Sequence, residues 1–560
     1  MNNSKTENRD FQRSESLFDE RVRKMVFPVR IVTTFGHVEN AEQLLEQKTL
    51  QVAIGEPPFT VLCNDSDGDE AGVVLDFGVE LHGSPRILTY YITGEDPAQL
   101  QITTGESVSE AMSEISYKNA TNHHAVRDAV YIVPGLSDMT YNETGFRFLC
   151  IRLKSRDTKL LLKAAIGILI YRELNYMGTF RCDREILNRI YDTAAYTCHL
   201  NMQGMVWDGI KRDRLVWVGD MHPEMLAIRT VFGRQKVLED TIRFIRDITP
   251  LPGWMNGFPT YSLWWIIILY DWYFYTGDDA FLSENRAYLT GLISQITELI
   301  DEDGTDHLPG YFLDWPSHEL PQEIDGSRAL LAQALLRAEE LAMILRDSEM
   351  KNKCAMGYER LSRKKGESHG SKQTAAMLAR AGWMEIERAS TDILKDGASG
   401  FSTFMSYYLL TVACHNDMPA ALQILENYYG AMLNYGATTF WEDFSLSWTE
   451  NAVGIDCMVP QGKRDIHGDN GAFCYKGFRH SLCHGWASGP VAFLAEEVLG
   501  IKILEPGCKR IRISPNLGDL NWVEGTYPTP YGLVYVKAVR KKEFGIDLKI
   551  QAPDGVVVES

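Results

Sequence analysis

From about Arg30 to Leu153 the chain runs in short β-like stretches, Ile31-Val32-Thr33-Thr34, Gln51-Val52-Ala53-Ile54, Val73 to Phe77, Arg86 to Tyr91 and Phe146 to Leu153. Gly, Pro, Asn and Asp separate them, as they separate the strands of a β-sandwich. After residue 180 the period lengthens. Ile186, Leu187, Ile190, Tyr191, Ala194, Ala195 and Cys198 fall on one face at helical spacing. Further helices are predicted over 261–275, 280–300, 327–346, 372–387, 402–415, 419–433 and 485–499. Trp264 and Trp265 lie within an all-round apolar helix and read as core packing. Beyond Ile501 short alternating runs return around the turn-rich stretch 528–532.

The pattern divides the chain into a polar segment 1–25, a β-sandwich 26–170, a helical domain 171–498 and a small β domain 499–560. Helices joined by loops of uneven length suit either a solenoid or a closed toroid of helix pairs. No fixed-period repeat is visible, which disfavours the solenoid. The basic stretch 360–372 reads as a solvated turn between helices.

A length of 560 residues exceeds what one core supports, so several domains are expected. A formal net charge of -19 argues against nucleic acid and anionic membrane surfaces as partners. The longest apolar run, Leu263 to Tyr270, stops at Asp271, well short of the roughly 20 residues of a membrane span. Met1 to Glu20 lacks the basic and apolar regions of a secretory signal, which points to the cytoplasm unless a leader precedes this chain. Ten cysteines without CxxC or CxxH spacing read as reduced, mostly buried thiols rather than a zinc site or disulfide framework. Oligomeric state is left open, a homo-oligomer included.

Reactive side chains concentrate between Trp207 and Glu224, where Asp208, Arg212, Asp213, Arg214, Trp217 and Asp220 are broken by Gly209 and Gly219. This reads as a loop entering a helix. Its structural alternative is a buried salt-bridge network that fixes the loop. Inverting glycoside cleavage needs an acid for the leaving oxygen and a base for water, about 6.5–9.5 Å apart and so distant in sequence. Asp213 is the candidate acid. Burial and the neighbouring Asp208 and Asp220 would have to outweigh the flanking arginines to keep it protonated. Asp220 serves equally well as an N-cap for the helix after it. Glu442, beside Trp441 on a Gly-led loop, is the candidate base, with Asp443 competing. Asp314 with Trp315, and His484 with Trp486, pair a polar group with an aromatic ring as sugar subsites do, and each could equally be core.

Asp208, Gly209, Lys211, Arg212, Asp213, Arg214, Trp217, Gly219 and Asp220 together resemble the signature of the α-L-rhamnosidases of glycoside hydrolase family 78. The segments 438–442, 312–315, 483–486, 510–515 and 527–532 are similar to that family's in order and spacing. The resemblance implies an (α/α)6 toroid flanked by N-terminal and C-terminal β-sandwich domains, acting without cofactor or metal on a carbohydrate substrate. It implies exo-hydrolysis of terminal α-L-rhamnosyl bonds with inversion, Asp213 as acid and Glu442 as base. Asp208 and Asp220 would hold ring hydroxyls, while Trp217, Asp314, Trp315, Trp441 and His484 would line the pocket and Arg212 would orient the carboxylates. Many members carry Glu at the position of Asp213, so the carboxyl here stands one methylene further back. The alternatives are an inverting toroid glycosidase for another sugar, and a sugar-binding homologue that has lost catalysis.

Overall fold

The computed structural model describes residues 19–47, 49–52, 57–541 and 545–560. Residues 1–18 of the polar segment, and Ala53 and Ile54 of the 51–54 run, lie outside the described residues. The first strand, Arg21–Val26, already begins within the segment read as polar.

The N-terminal sheet is organised by one 22-residue strand, Gly72–Thr93, which pairs with Thr144–Leu153, Thr158–Arg172, Arg30–Phe35 and Asp138–Thr140. Val73, Val74 and Leu75 are all fully buried, so this strand is covered on both faces and does not alternate. A register shift between Asp76 and Leu81 bends it. Phe77, Phe146, Leu149 and Leu162 fill the core beneath.

Between Glu185 and Phe493 the described residues form twelve α-helices. Six of them touch in sequence: Met221–Val231 with Pro259–Thr276, then Pro321–Ile344, Lys372–Arg380, Ser406–Ala413 and Gly489–Phe493, which returns to Met221–Val231. That return contact closes the ring and makes the domain a toroid. Pro259–Thr276 is apolar all round because neighbours enclose it, and Trp264 and Trp265 are core, as expected. Each such side chain, fully buried, contributes on the order of 2–3 kcal/mol. An outer helix, Lys236–Asp247, instead buries Val237, Leu238, Thr241, Ile242 and Ile245 on one face and leaves Asp247 exposed. Its short amphipathic stripe was not among the predicted helices, nor was Ser348–Leu361.

Two predicted helices differ in form. The stretch 372–387 is split into Lys372–Arg380 and Ile386–Leu394 by a turn in which Gly382 takes φ +70°. The stretch 485–499 changes from a 3-10 turn to a short α-helix to a π turn. The basic stretch after Arg360 is tied to an acidic loop, with Lys364 on Asp303 at 2.6 Å.

The C-terminal domain has sheets of four and three strands. The four-stranded one includes Thr179–Cys182, antiparallel to Trp522–Thr529. A strand preceding the toroid in sequence thus belongs to the domain that follows it, and the last strand of the N-terminal sheet runs on to Arg172. Both correct the boundary drawn at 170/171. Among the described residues no helix is long and apolar enough to cross a membrane. All ten cysteines are free, and seven are buried.

Candidate active site

Residues 202–220 connect helix Glu185–Asn201 to the ring helix Met221–Val231. Asp208 folds this connection on itself: Oδ1 accepts the Leu215 N–H at 3.0 Å and Oδ2 the Asp213 N–H at 3.1 Å. Gly209 is required where the chain doubles back, since a Cβ there would stand 2.4 Å from the Arg212 carbonyl oxygen. At Gly219 a Cβ would stand 2.3 Å from the Tyr261 ring, which occupies that space.

The charges of the loop divide into two sets. Lys211 is buried and pairs with Glu106 at 2.9 Å and Glu110 at 3.1 Å, while donating to the carbonyls of Phe478 and His480. Arg214 reaches Glu143 at 3.1 Å and lies over the Trp207 ring. These two tie the loop to the N-terminal domain, and for them the salt-bridge reading is the right one. The other set faces inward. Arg212 pairs through one nitrogen with Glu442 and stands 3.6 Å from Asp213 Oδ1 with the other.

Glu442 is itself fixed on all sides. Its Oε2 accepts the Ser481 N–H at 3.1 Å, its own N–H donates to the Ser481 carbonyl at 2.9 Å, and its carbonyl accepts Trp486 Nε1–H at 2.8 Å. Asp443, the competing candidate, does not line the cavity.

Asp208, Arg212, Asp213, Asp220, Glu442 and His484 converge on a cavity of about 220 Å³ whose apolar walls are Trp217, Phe258, Tyr261, Phe312, Trp315 and Trp486. Cys474 and Arg479 complete the lining. Burial pushes the Cys474 thiol up to about 12, so it is a neutral wall group. Three buried atoms of these residues, His484 Nδ1, Arg212 Nε and Asp213 Oδ1, have no hydrogen-bond partner. Buried polar atoms are normally satisfied, and orphans in a cavity suit a hydroxylated ligand.

Eight of the ten sequence-predicted site residues line this cavity, and two do not. Asp314 is buried behind Trp315, accepts the Ser402 hydroxyl, and is pushed up to about 7 by burial. Trp441 is buried edge-on against Phe444. Neither side chain lines the pocket as expected. Each neighbours in sequence the residue that does, and spacing along a loop does not reveal which of two adjacent side chains turns inward. Tyr261, Phe258, Arg479 and Cys474 were missed because they sit in stretches whose local pattern reads as helix core or loop.

Asp220 occupies the N-cap position yet makes no capping bond. Its carboxylate accepts the Tyr261 hydroxyl at 3.0 Å instead. Burial, then the nearby Asp208, hold Asp220 well above the usual carboxylate range, and burial pushes Asp208 up to about 8. His484 Nε2 lies 3.9 Å from both carboxyls, and burial followed by Arg212 keeps its imidazole neutral. Because the folded state holds the Asp220 pKa above its unfolded value, folding takes up a proton and stability falls as pH rises above about 3.9. Asp220→Asn keeps an acceptor for Tyr261 without titrating. Its melting temperature relative to the unsubstituted protein should therefore climb between pH 4 and pH 8, and a flat difference across that range would contradict the assignment.

A further cavity of about 310 Å³ lies toward the other end of the ring helices. Most of its charges are paired, His222 with Asp271 at 2.9 Å, Arg229 with Glu496 at 2.7 Å and Arg337 with Glu340 at 2.9 Å, while Arg380 donates to Gln333 Oε1 at 3.2 Å and lies over the Tyr408 ring. Glu106, Glu110 and His467 lie close enough to share a cation, but the Lys211 ammonium already sits against both glutamates.

Comparison with known proteins agrees with this architecture. Residues 175–379 match the bacterial alpha-L-rhamnosidase 6 hairpin glycosidase domain, and residues 500–559 match the bacterial alpha-L-rhamnosidase C-terminal domain. Among solved structures, the GH78 family rhamnosidase of Bacillus sp. GL1 superposes with a TM-score of 0.74 at 22% identity, over 92% of this chain and 55% of that one. The rhamnosidase of Klebsiella oxytoca, solved with rhamnose bound, gives 0.65 at 19% identity over 87% and 98%. The Streptomyces avermitilis α-L-rhamnosidase, complexed with L-rhamnose, gives 0.68 at 14% over 91% and 50%. The chain thus spans about half the length of the Bacillus and Streptomyces enzymes and nearly all of the Klebsiella one. No curated protein sequence matches it. The closed ring of six helices, the flanking sheets and the two matched domains together show a chain built from the 6 hairpin glycosidase domain and the C-terminal domain of the bacterial alpha-L-rhamnosidases.

Proposed function

We propose that the protein is an exo-acting, inverting α-L-rhamnosidase that releases terminal α-L-rhamnose from oligosaccharides or glycoconjugates. The observation that carries this reading is the single Arg212 guanidinium set between Asp213 and Glu442 on the wall of an aromatic-lined cavity. A guanidinium between two carboxyls keeps them out of direct contact, which supports the wider spacing that inversion needs for its water.

In this mechanism Asp213 donates its proton to the glycosidic oxygen as the bond to the anomeric carbon breaks. Glu442 takes a proton from water, whose oxygen attacks the anomeric carbon from the opposite face. Arg212 and the Ser481 N–H hold Glu442 in place throughout. Asp208 and Asp220, carried largely as neutral carboxyls, can both donate to and accept from ring hydroxyls. The aromatic walls suit the apolar face and methyl group of a deoxy sugar. A cavity of only about 220 Å³ supports removal of a terminal residue. Rhamnose is favoured by the sugar bound in the Klebsiella and Streptomyces enzymes. Asp314 and Trp441 act from behind as positioning residues.

The test is incubation with rhamnose-capped oligosaccharides, reading the first-formed anomer by proton NMR. Free rhamnose appearing first as the β-anomer is expected. The α-anomer first would refute inversion, and release of a different sugar from a panel of aryl glycosides would refute the substrate.

A further inference from the structure

The cavity has a neighbour from outside the toroid. His124, on the loop between strands Ala98–Gly105 and Asp128–Val133 of the N-terminal sheet, places Nε2 3.2 Å from Asp213 Oδ1. The contact is off the line of a hydrogen bond, and Oδ1 has no other donor. The loop is built to hold that position. Asn122 Oδ1 accepts the N–H groups of Arg127 and Asp128, and Thr121 Oγ1 accepts that of His123. The buried Arg127 guanidinium binds the carbonyls of Glu110 and Ser113. His124 itself takes φ +69°, a left-handed conformation uncommon for a side chain of its size. A small rotation of either side chain would align the pair.

We propose that His124 is a positioning residue for the acid: its Nε2–H donates to Oδ1 of Asp213, which leaves the proton on Oδ2 for the departing glycosidic oxygen. This rests on the reading of Asp213 as the acid. As the proton leaves, Oδ1 gains charge and the same hydrogen bond strengthens, so His124 assists the transfer without titrating in it. The arrangement also fits the short side chain here, because an Asp stands one methylene further back than a Glu and a donor behind it fixes where its carboxyl points. Asp213, Arg212, Arg479 and His123 are the charged and titratable groups facing His124. Burial lowers its pKa, followed by an opposing effect from Asp213, then His123 and the arginines, so the neutral imidazole is the form present at neutral pH.

Two measurements test the proposal. In the first, His124→Ala and His124→Gln are compared on an aryl α-L-rhamnoside, whose leaving group needs little protonation, and on a rhamnosyl disaccharide, whose leaving group needs much. His124→Ala should lower kcat on the disaccharide about 10- to 100-fold with KM little changed, and affect the aryl substrate several-fold less. His124→Gln, which keeps a donor at similar reach, should recover most of the loss. Equal losses on both substrates, or none, would overturn the proposal. If the unsubstituted protein cleaves neither rhamnoside, the functional reading fails by itself, and the second measurement still decides the pairing. Histidine NMR should show Nε2 of His124 as the protonated ring nitrogen in the unsubstituted protein and a changed tautomer balance in Asp213→Ala, which removes the acceptor, the resonance being assigned by its loss in His124→Gln. An unchanged tautomer balance would overturn the pairing whatever the substrate.

Discussion

Glu442→Gln is expected to lower kcat about 10²–10⁴-fold, the range that a positioned general base contributes. Gln preserves the shape of the side chain, and its carbonyl still accepts the Ser481 N–H that now reaches Oε2 at 3.1 Å. What it loses is the ability to take a proton from water and the charge opposite Arg212. The second loss also weakens the fold, because the buried guanidinium then loses its nearest counter-charge. Activity and stability must therefore be separated. Circular dichroism at the assay temperature should show a folded protein, and rhamnose should still raise its melting temperature. Retention of more than a tenth of the unsubstituted rate would remove Glu442 from the role of base.

Arg212→Met is expected to damage both properties most. The guanidinium is buried, touches Glu442, and stands beside Asp213, with Asp208 and Asp220 on the same cavity wall. Its removal leaves the Glu442 carboxylate in a desolvated space without its compensating charge. Breaking a buried pair in this way costs about 3–5 kcal/mol. A clear drop in melting temperature and a kcat reduced by about two orders of magnitude or more should follow. Arg212→Lys should fall between, since one ammonium cannot present two parallel faces to two carboxyls. The coupling can be measured directly: in the Arg212→Met background, Glu442→Gln should cost little further stability. Additive losses in that double-mutant cycle would show that the two groups act independently.

The sequence carried the architecture because each layer has its own period. Alternation and turn residues marked the sheets, and the apolar stripe from Ile186 to Cys198 marked the first helix. The enclosed helix Pro259–Thr276 was legible as core because no face of it is polar. Lys236–Asp247 and the split at Gly382 were not legible, since short outer helices and a single turn leave weak periodic signals. Nor could any local pattern show that Thr179–Cys182 pairs with a strand more than three hundred residues away. Such pairing is decided by which edge is free once the ring has closed.

At the site, the sequence by itself determined the chemical inventory: the carboxyls, the cations and the aromatic residues of 208–220, with Glu442 as a distant partner. Only the tertiary structure decided their division of labour. It turned Lys211 and Arg214 outward to the N-terminal domain, and it gave Asp220 to Tyr261 instead of to its own helix. It placed Trp315 on the cavity and Asp314 behind it, and it brought His124 from another domain to Asp213. The physical reason is that residue type and spacing fix what a side chain can do, whereas its partner and its burial depend on chain segments hundreds of residues distant.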